Sequence, residues 1–152
     1  MAYSTTTTIR ETGVQDGKYI ALLAKAAQVF KKGDIVVIDA TDGLAYKAWA
    51  HATTAAGDIF AGVAMESKTA AAGDADTIKV NTKGVHEFDI ATTSQAAGLG
   101  RPVYHEDGTS GNAQLVVIAA PATHYLRVGV IVGLVSTTKV LVKIEGLKNV
   151  SP

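Results

Sequence analysis

Two apolar stretches, each with a glycine at its centre, restrict this chain more than any other feature. Gly57-Asp58 leads into Ile59-Phe60-Ala61-Gly62-Val63-Ala64-Met65, and near the C-terminus Arg127 leads into Val128-Gly129-Val130-Ile131-Val132-Gly133. Each is predicted to be a buried β-strand whose central glycine lets another backbone or side chain come close. Ile59 to Met65 and Val128 to Val132 are therefore expected to be the most buried segments. The remaining sequence reads as shorter, half-exposed strands arranged around these two.

Turn chemistry punctuates those strands. Gly33-Asp34 precedes the β-branched run Ile35-Val36-Val37-Ile38, and Asp42-Gly43 is a hairpin signal with Leu44 to Ala50 returning as the partner strand. Gly-Asp recurs at positions 33, 57 and 73, each time shortly before an apolar strand, but the spacing is unequal, so this is turn grammar and not a solenoid repeat. Thr77 to Asn81 alternates with Ile78 and Val80 inward. Lys83-Gly84 is expected to turn the chain into Val85 to Ile90, with His86, Phe88 and Ile90 on one face and Glu87 and Asp89 on the other, making a half-buried hairpin. Pro102 to His105 reads as a short edge strand because of its proline. Gln114 to Ala119 and Lys139 to Ile144 are further strands. Tyr19 to Val29 fits either a strand or a helical turn, and Glu66 to Asp76 reads as a loop of small residues. About nine short strands at this spacing predict an all-β barrel or sandwich. It is expected to be predominantly antiparallel with at most two short helices, formed by residues 14–152 as a single domain.

Residues 1–13 are polar and threonine-rich, without hydrophobic period, and are predicted to be an N-terminal arm. Such an arm is either a tail that never orders or a segment that orders against a partner. Tyr3, Thr5, Thr6, Thr7, Thr8 and Ile9 are its candidate contact residues, since threonine favours extended backbone able to add to a sheet edge. Trp49, the only tryptophan, reads as a core plug or a partly buried subunit contact.

Composition narrows the function classes. Of the 152 residues 47% are hydrophobic but only 6% aromatic, so the core is built from small and β-branched side chains, and association offers further burial. Lys+Arg and Asp+Glu are both 14, for a formal net charge of zero. That argues against direct nucleic-acid binding by counterion release and against a polybasic membrane surface. With no cysteine, disulfides, thiolate metal sites and cysteine nucleophiles are excluded. Neither an apolar signal core at the N-terminus nor a run of about 18 apolar residues is present, so no membrane role is expected.

Searching for chemistry returns little. His51, His86, His105 and His124 lack metal-ligand spacing, and His86 reads as a hydrogen-bonded core histidine. Asp74 and Asp76 match two positions of a calcium loop whose other ligands and glycine are absent. No nucleophile elbow, dinucleotide fingerprint or phosphate loop occurs. The expectation is a protein that is not an enzyme and has no catalytic residues, metal or cofactor.

The order of these motifs resembles the capsid decoration, or cement, proteins of tailed phages. The residues that carry the likeness are Gly33-Asp34 with its strand, Asp42-Gly43, Phe60-Ala61-Gly62-Val63-Ala64, Gly84-Val85, Val103-Tyr104 with Asp107-Gly108, Val128-Gly129-Val130 and Val140-Leu141-Val142. The likeness spans about Gln28 to Gly146. It implies a compact barrel-like or β-tulip domain, made in the host cytoplasm and carried on the outer surface of the virion head. It also implies a homotrimer that clamps the major capsid protein against internal pressure. Two rivals remain from other classes. One is a carbohydrate-binding or tail-associated adhesion module using Trp49 with Tyr46; the other is a small β-barrel enzyme using His86 or His105.

Overall fold

The computed structural model describes residues 19–48, 58–90, 98–105, 113–118 and 126–147. Within them lie twelve strands and no helix. They are β1 (Tyr19–Leu23), β2 (Val29–Phe30), β3 (Ile35–Ile38), β4 (Ala45–Lys47), β5 (Ile59–Ala64), β6 (Lys68–Thr69), β7 (Thr77–Asn81), β8 (Lys83–Ile90), β9 (Pro102–His105), β10 (Leu115–Val117), β11 (Arg127–Ser136) and β12 (Lys139–Glu145). The protein is all-β, and five of these strands close a barrel in the order β9-β10-β8-β12-β11. A five-stranded sheet, β1-β7-β5-β3-β4, and a two-stranded ribbon, β2-β6, complete the fold. All pairings between named strands are antiparallel except β8 with β10, which is parallel.

The buried apolar strands explain the arrangement. β3 and β5 are buried on both faces, as continuous apolar runs should be. Ile35, Val37, Phe60 and Val63 point into one core with the barrel residues Phe88, Ile90, Val103, Val116, Val128, Ile131, Val140, Val142 and Ile144. Val36, Ala61 and Ala64 point the other way, into a second core with Ala24, Phe30, Ala45, Ala70, Ile78 and Val80. One pair of strands thus serves two cores.

Both central glycines sit at close backbone approaches. Gly62 has φ 149°, and a Cβ there would fall on the carbonyl oxygen of Asn81. At Gly129 a Cβ would fall on the carbonyl oxygen of Lys143, across the β11–β12 ladder. The turns behave as their sequence dictates. Gly33 (φ 99°) and Gly43 (φ 74°) occupy the left-handed region, and Asp34 folds its own turn by accepting the Lys31 N–H at 2.9 Å through its carboxylate.

Four expectations need correction. Thr77 to Asn81 and Val85 to Ile90 alternate as foreseen but do not form a hairpin with each other. β7 pairs with β1 and β5, whereas β8 runs unbroken through Lys83 and Gly84 and pairs with β12 and β10. Thr82 is where the chain passes from one sheet to the other, and an alternating pattern cannot distinguish the two outcomes because each strand needs only one buried face. Pro102 does not mark an edge: β9 pairs on both sides, and proline is tolerated as its first residue. The loop after Glu66 contains β6, too short to leave a periodic signature. Val132 and Met65, placed among the most buried residues, are exposed, Val132 because β11 bulges there and Met65 because it lies just past the end of β5. Tyr19 to Val29, left open between strand and helix, holds strand β1 and the first residue of β2.

Asp76 anchors the turn between β6 and β7. Its carboxylate accepts the Ala71 and Thr77 N–H groups at 2.9 and 2.8 Å and meets the Lys68 ammonium at 2.8 Å. The Lys68 bond first, then the two amides, hold its pKa down at about 2. A carboxyl whose folded value is depressed contributes stability above its ordinary value, and that contribution is lost as pH falls through the folded value. Urea unfolding between about pH 4 and about pH 2 is expected to show a loss that Asp76→Asn flattens. Parallel acid limbs for the two proteins would rule the anchor out.

Candidate interaction surface

Three surfaces among the described residues are candidates for interaction. Among those residues no three His, Cys, Asp or Glu side chains converge on a point where a metal ion could sit. His86 is half-buried on the face of Phe88 and Ile90, with Nε2 3.4 Å from the Lys83 carbonyl oxygen. His105 is buried at the end of β9. Asp74 and Asp76 spend their carboxylates on turn amides and lysines: Asp74 accepts the Ala26 N–H at 2.7 Å and lies 3.5 Å from Lys25 Nζ.

The first surface is the far half of β11. Its register with β12 shifts between Ile131 and Gly133 and again between Leu134 and Ser136. Val132 and Val135 are thereby extra residues on β11, and such bulges redirect side chains and increase twist. Val132, Leu134 and Val135 are 46%, 50% and 50% exposed, an unusual density of bare apolar groups on one strand. On the outer face of the barrel Val85 and Val130 lie on either side of Lys143, and Leu141 lies over Gly133 with Cδ1 3.2 Å from where a Cβ would be. One flank is charged: Lys139 Nζ contacts Asp89 at 2.6 Å and Glu87 at 4.0 Å, and the Asp89 hydrogen bond, then its charge, raises the lysine pKa. An apolar centre with a charged rim is the anatomy of a protein-binding surface.

The second surface is a groove of about 560 Å³ beside the β2–β6 ribbon. Lys31, Lys32 and Lys68 line it with Val29, Ser67 and Gln114. Lys68 is held by Asp76 and by the Thr77 carbonyl at 2.6 Å, so Lys31 and Lys32 supply most of its positive character. The third is the outward face of β1, where Tyr19 and Leu23 are 44% and 52% exposed and whose edge meets β4 through the Ala24–Ala45 bridge.

Of the contact residues expected from sequence, Tyr3, Thr5, Thr6, Thr7, Thr8, Ile9 and Trp49 all lie outside the described residues. Tyr46, the partner proposed for Trp49, packs against the barrel core and donates its hydroxyl to Asp42 Oδ2 at 2.9 Å. Burial, then the Asp42 hydrogen bond, pushes its pKa up to about 12. Sequence reasoning missed Val132, Leu134 and Val135. The signal available was the pair Gly129 and Gly133 in one apolar run, since a second strand glycine is itself a bulge marker.

No protein family, curated protein or solved structure matches this chain.

Proposed function

We propose that this chain is a capsid decoration protein of a tailed phage, binding the major capsid protein on the outer surface of the head as a homotrimer and stabilising the shell. The exposed apolar row Val132, Leu134 and Val135 carries this reading, because a residue pattern so costly in water suits a strand end that is covered in an assembly. The motif order that resembles the cement family supports it, as do the neutral surface and a small-residue core that gains from association. The role needs no catalysis, cofactor, nucleic acid or membrane. The rival adhesion reading is weakened by Tyr46, whose ring and hydroxyl are committed to the core and to Asp42.

Sedimentation with decoration-free expanded shells tests the proposal. The protein is expected to pellet with shells and to saturate. Val132→Asp with Leu134→Asp should weaken that binding by about tenfold or more, the scale of losing one central apolar anchor. Deleting Ala2 to Arg10 removes none of the described strands, all of which begin at Tyr19 or later, and should weaken attachment while preserving the fold. Protein that stays in the supernatant at every shell concentration would sink the proposal.

A further inference from the structure

The sequence holds one Lys-Lys pair, Lys31-Lys32, and the fold seats it on a turn whose amides are all bonded. Lys31 N–H donates to Asp34 Oδ2 at 2.9 Å, Lys32 N–H to Ser67 Oγ at 3.0 Å, and Gly33 N–H to the Ala64 carbonyl at 2.9 Å. Asp34 N–H closes the turn on the Lys31 carbonyl at 3.0 Å. The two ammonium groups therefore project from a fixed base, and little backbone entropy is lost when something binds them.

Their charge is not spent within the protein. Among the described residues Lys25, Lys68 and Lys139 each meet a carboxylate, whereas Lys31 and Lys32 have no ion-pair partner. Asp34, the acid closest to them in sequence, is buried and gives its oxygens to the Lys31 N–H and to Gln114 Nε2 at 3.5 Å. The turn walls the groove of about 560 Å³ beside the β2–β6 ribbon, a volume typical of clefts that hold ligands. Every charged side chain lining that groove is a lysine. Ser67 accepts through its oxygen, so its own proton remains to be donated, and half-exposed Val29 offers an apolar contact beside the lysines.

We propose that this groove binds an extended acidic segment of a partner protein. Charge selects the ligand: two unneutralised ammonium groups and a hydroxyl proton meet carboxylate oxygens, and no carboxylate lines the groove to repel them. Shape selects a segment over a small anion. Val29, Lys31, Lys32 and Thr69 at its rim are exposed, so the groove is too open to bury most of a small molecule's surface. An extended chain sets alternate side chains on one face about 7 Å apart, and two acids so placed meet two lysines whose long side chains splay from one turn. A nucleic acid fits less well. The net charge of zero gives no long-range attraction for a polyanion, and the one aromatic residue in the groove, Phe30, is buried and offers no ring to stack on a base. Such binding is independent of the shell and is measured without it.

Amide NMR spectra of the isotope-labelled full chain, titrated at low salt with a hexaglutamate peptide blocked at both ends, read the contact. Saturable shifts are expected at the Lys31, Lys32 and Ser67 amides and at the Gln114 side-chain amide. Lys31→Gln with Lys32→Gln leaves the turn amides in place and should weaken the peptide by about tenfold. Lys79→Gln with Lys83→Gln removes two exposed lysines outside the groove and should leave the affinity unchanged. The same spectra show that each variant is folded. Free glutamate at equal carboxylate concentration should shift the same amides without saturating, hexaglutamine should shift none, and an oligothymidylate of equal charge should bind more weakly than hexaglutamate. Absence of saturation with hexaglutamate overturns the proposal. So do shifts as large at Lys79, Lys83 and Lys143 as in the groove, or a Lys31→Gln and Lys32→Gln protein that binds like the native one. Free glutamate or hexaglutamine that binds as hexaglutamate does, or an oligothymidylate that binds as tightly, also overturns it.

Discussion

Gly129→Ala is expected to lower the melting temperature by about 6–12 °C, the equivalent of about 3 kcal/mol for overpacking a rigid contact in a chain of this size. The added methyl would land on the Lys143 carbonyl oxygen, with the carbonyl carbon 2.9 Å away and the Ile144 Cα 3.0 Å away. All three are backbone atoms of the central barrel strand β12, which is paired on both sides and cannot withdraw without breaking the ladder to β8. Gly62→Ala should cost at least as much, since its φ of 149° adds backbone strain to a clash with Asn81. Gly133→Ala is the control within the same strand. Its neighbour is the far end of the flexible Leu141 side chain, which can turn aside, so its melting temperature should barely change. Thermal unfolding followed by circular dichroism distinguishes them, and equal melting temperatures for Gly129→Ala and Gly133→Ala would defeat the argument.

The glycine-centred runs were legible because their chemistry is local. An apolar run of strand length with one glycine has few uses, and both runs proved to be strands with a backbone pressed against the glycine. Asp42-Gly43 and Gly33-Asp34 were legible for the same reason: each turn is closed by residues within a few positions of it. Sheet membership was not. Ile78 and Val80 face inward, as do Phe88 and Ile90, but the two pairs enter different cores, and nothing in either pattern names its partner strand. The parallel pairing of β10 with β8 likewise brings together Leu115 and Asp89, residues with no local relation. For the surfaces the limit is different. Alternation marks the buried face of β12 correctly, but the bulges of β11 reset the alternation mid-strand, so Val132 was counted as core.

Phe88→Ala is expected to cost about 3–5 kcal/mol, the usual range for deleting a buried phenylalanine. Phe88 is the largest side chain buried within the barrel strands, and its loss leaves a cavity among Val103, Val116, Val128 and Val140, whose short side chains cannot collapse into the space. The more informative expectation concerns the other core. β3 and β5 contribute one face to each, with Val37 and Phe60 on the barrel side and Val36 and Ala61 on the opposite side. The sheets are also tied through backbone, since Gly146 N–H donates to the Thr82 carbonyl at 2.8 Å and Leu147 N–H to the Phe60 carbonyl at 2.8 Å. Loss of the barrel therefore removes half the burial of the two strands that organise the second core, and a two-stranded fragment of that core would not stand alone. Phe88→Ala should accordingly destabilise both cores in one cooperative transition. Native-state hydrogen exchange reads this directly: the amides of Ile78 and Val80 in β7, outside the barrel, should lose as much protection as that of Val142 in β12. Phe30→Ala, made in the second core, should produce the reciprocal loss at Val142. Protection of β7 that survives Phe88→Ala unchanged would mean the two cores unfold independently, and the shared strands β3 and β5 would not be the link that this packing makes them.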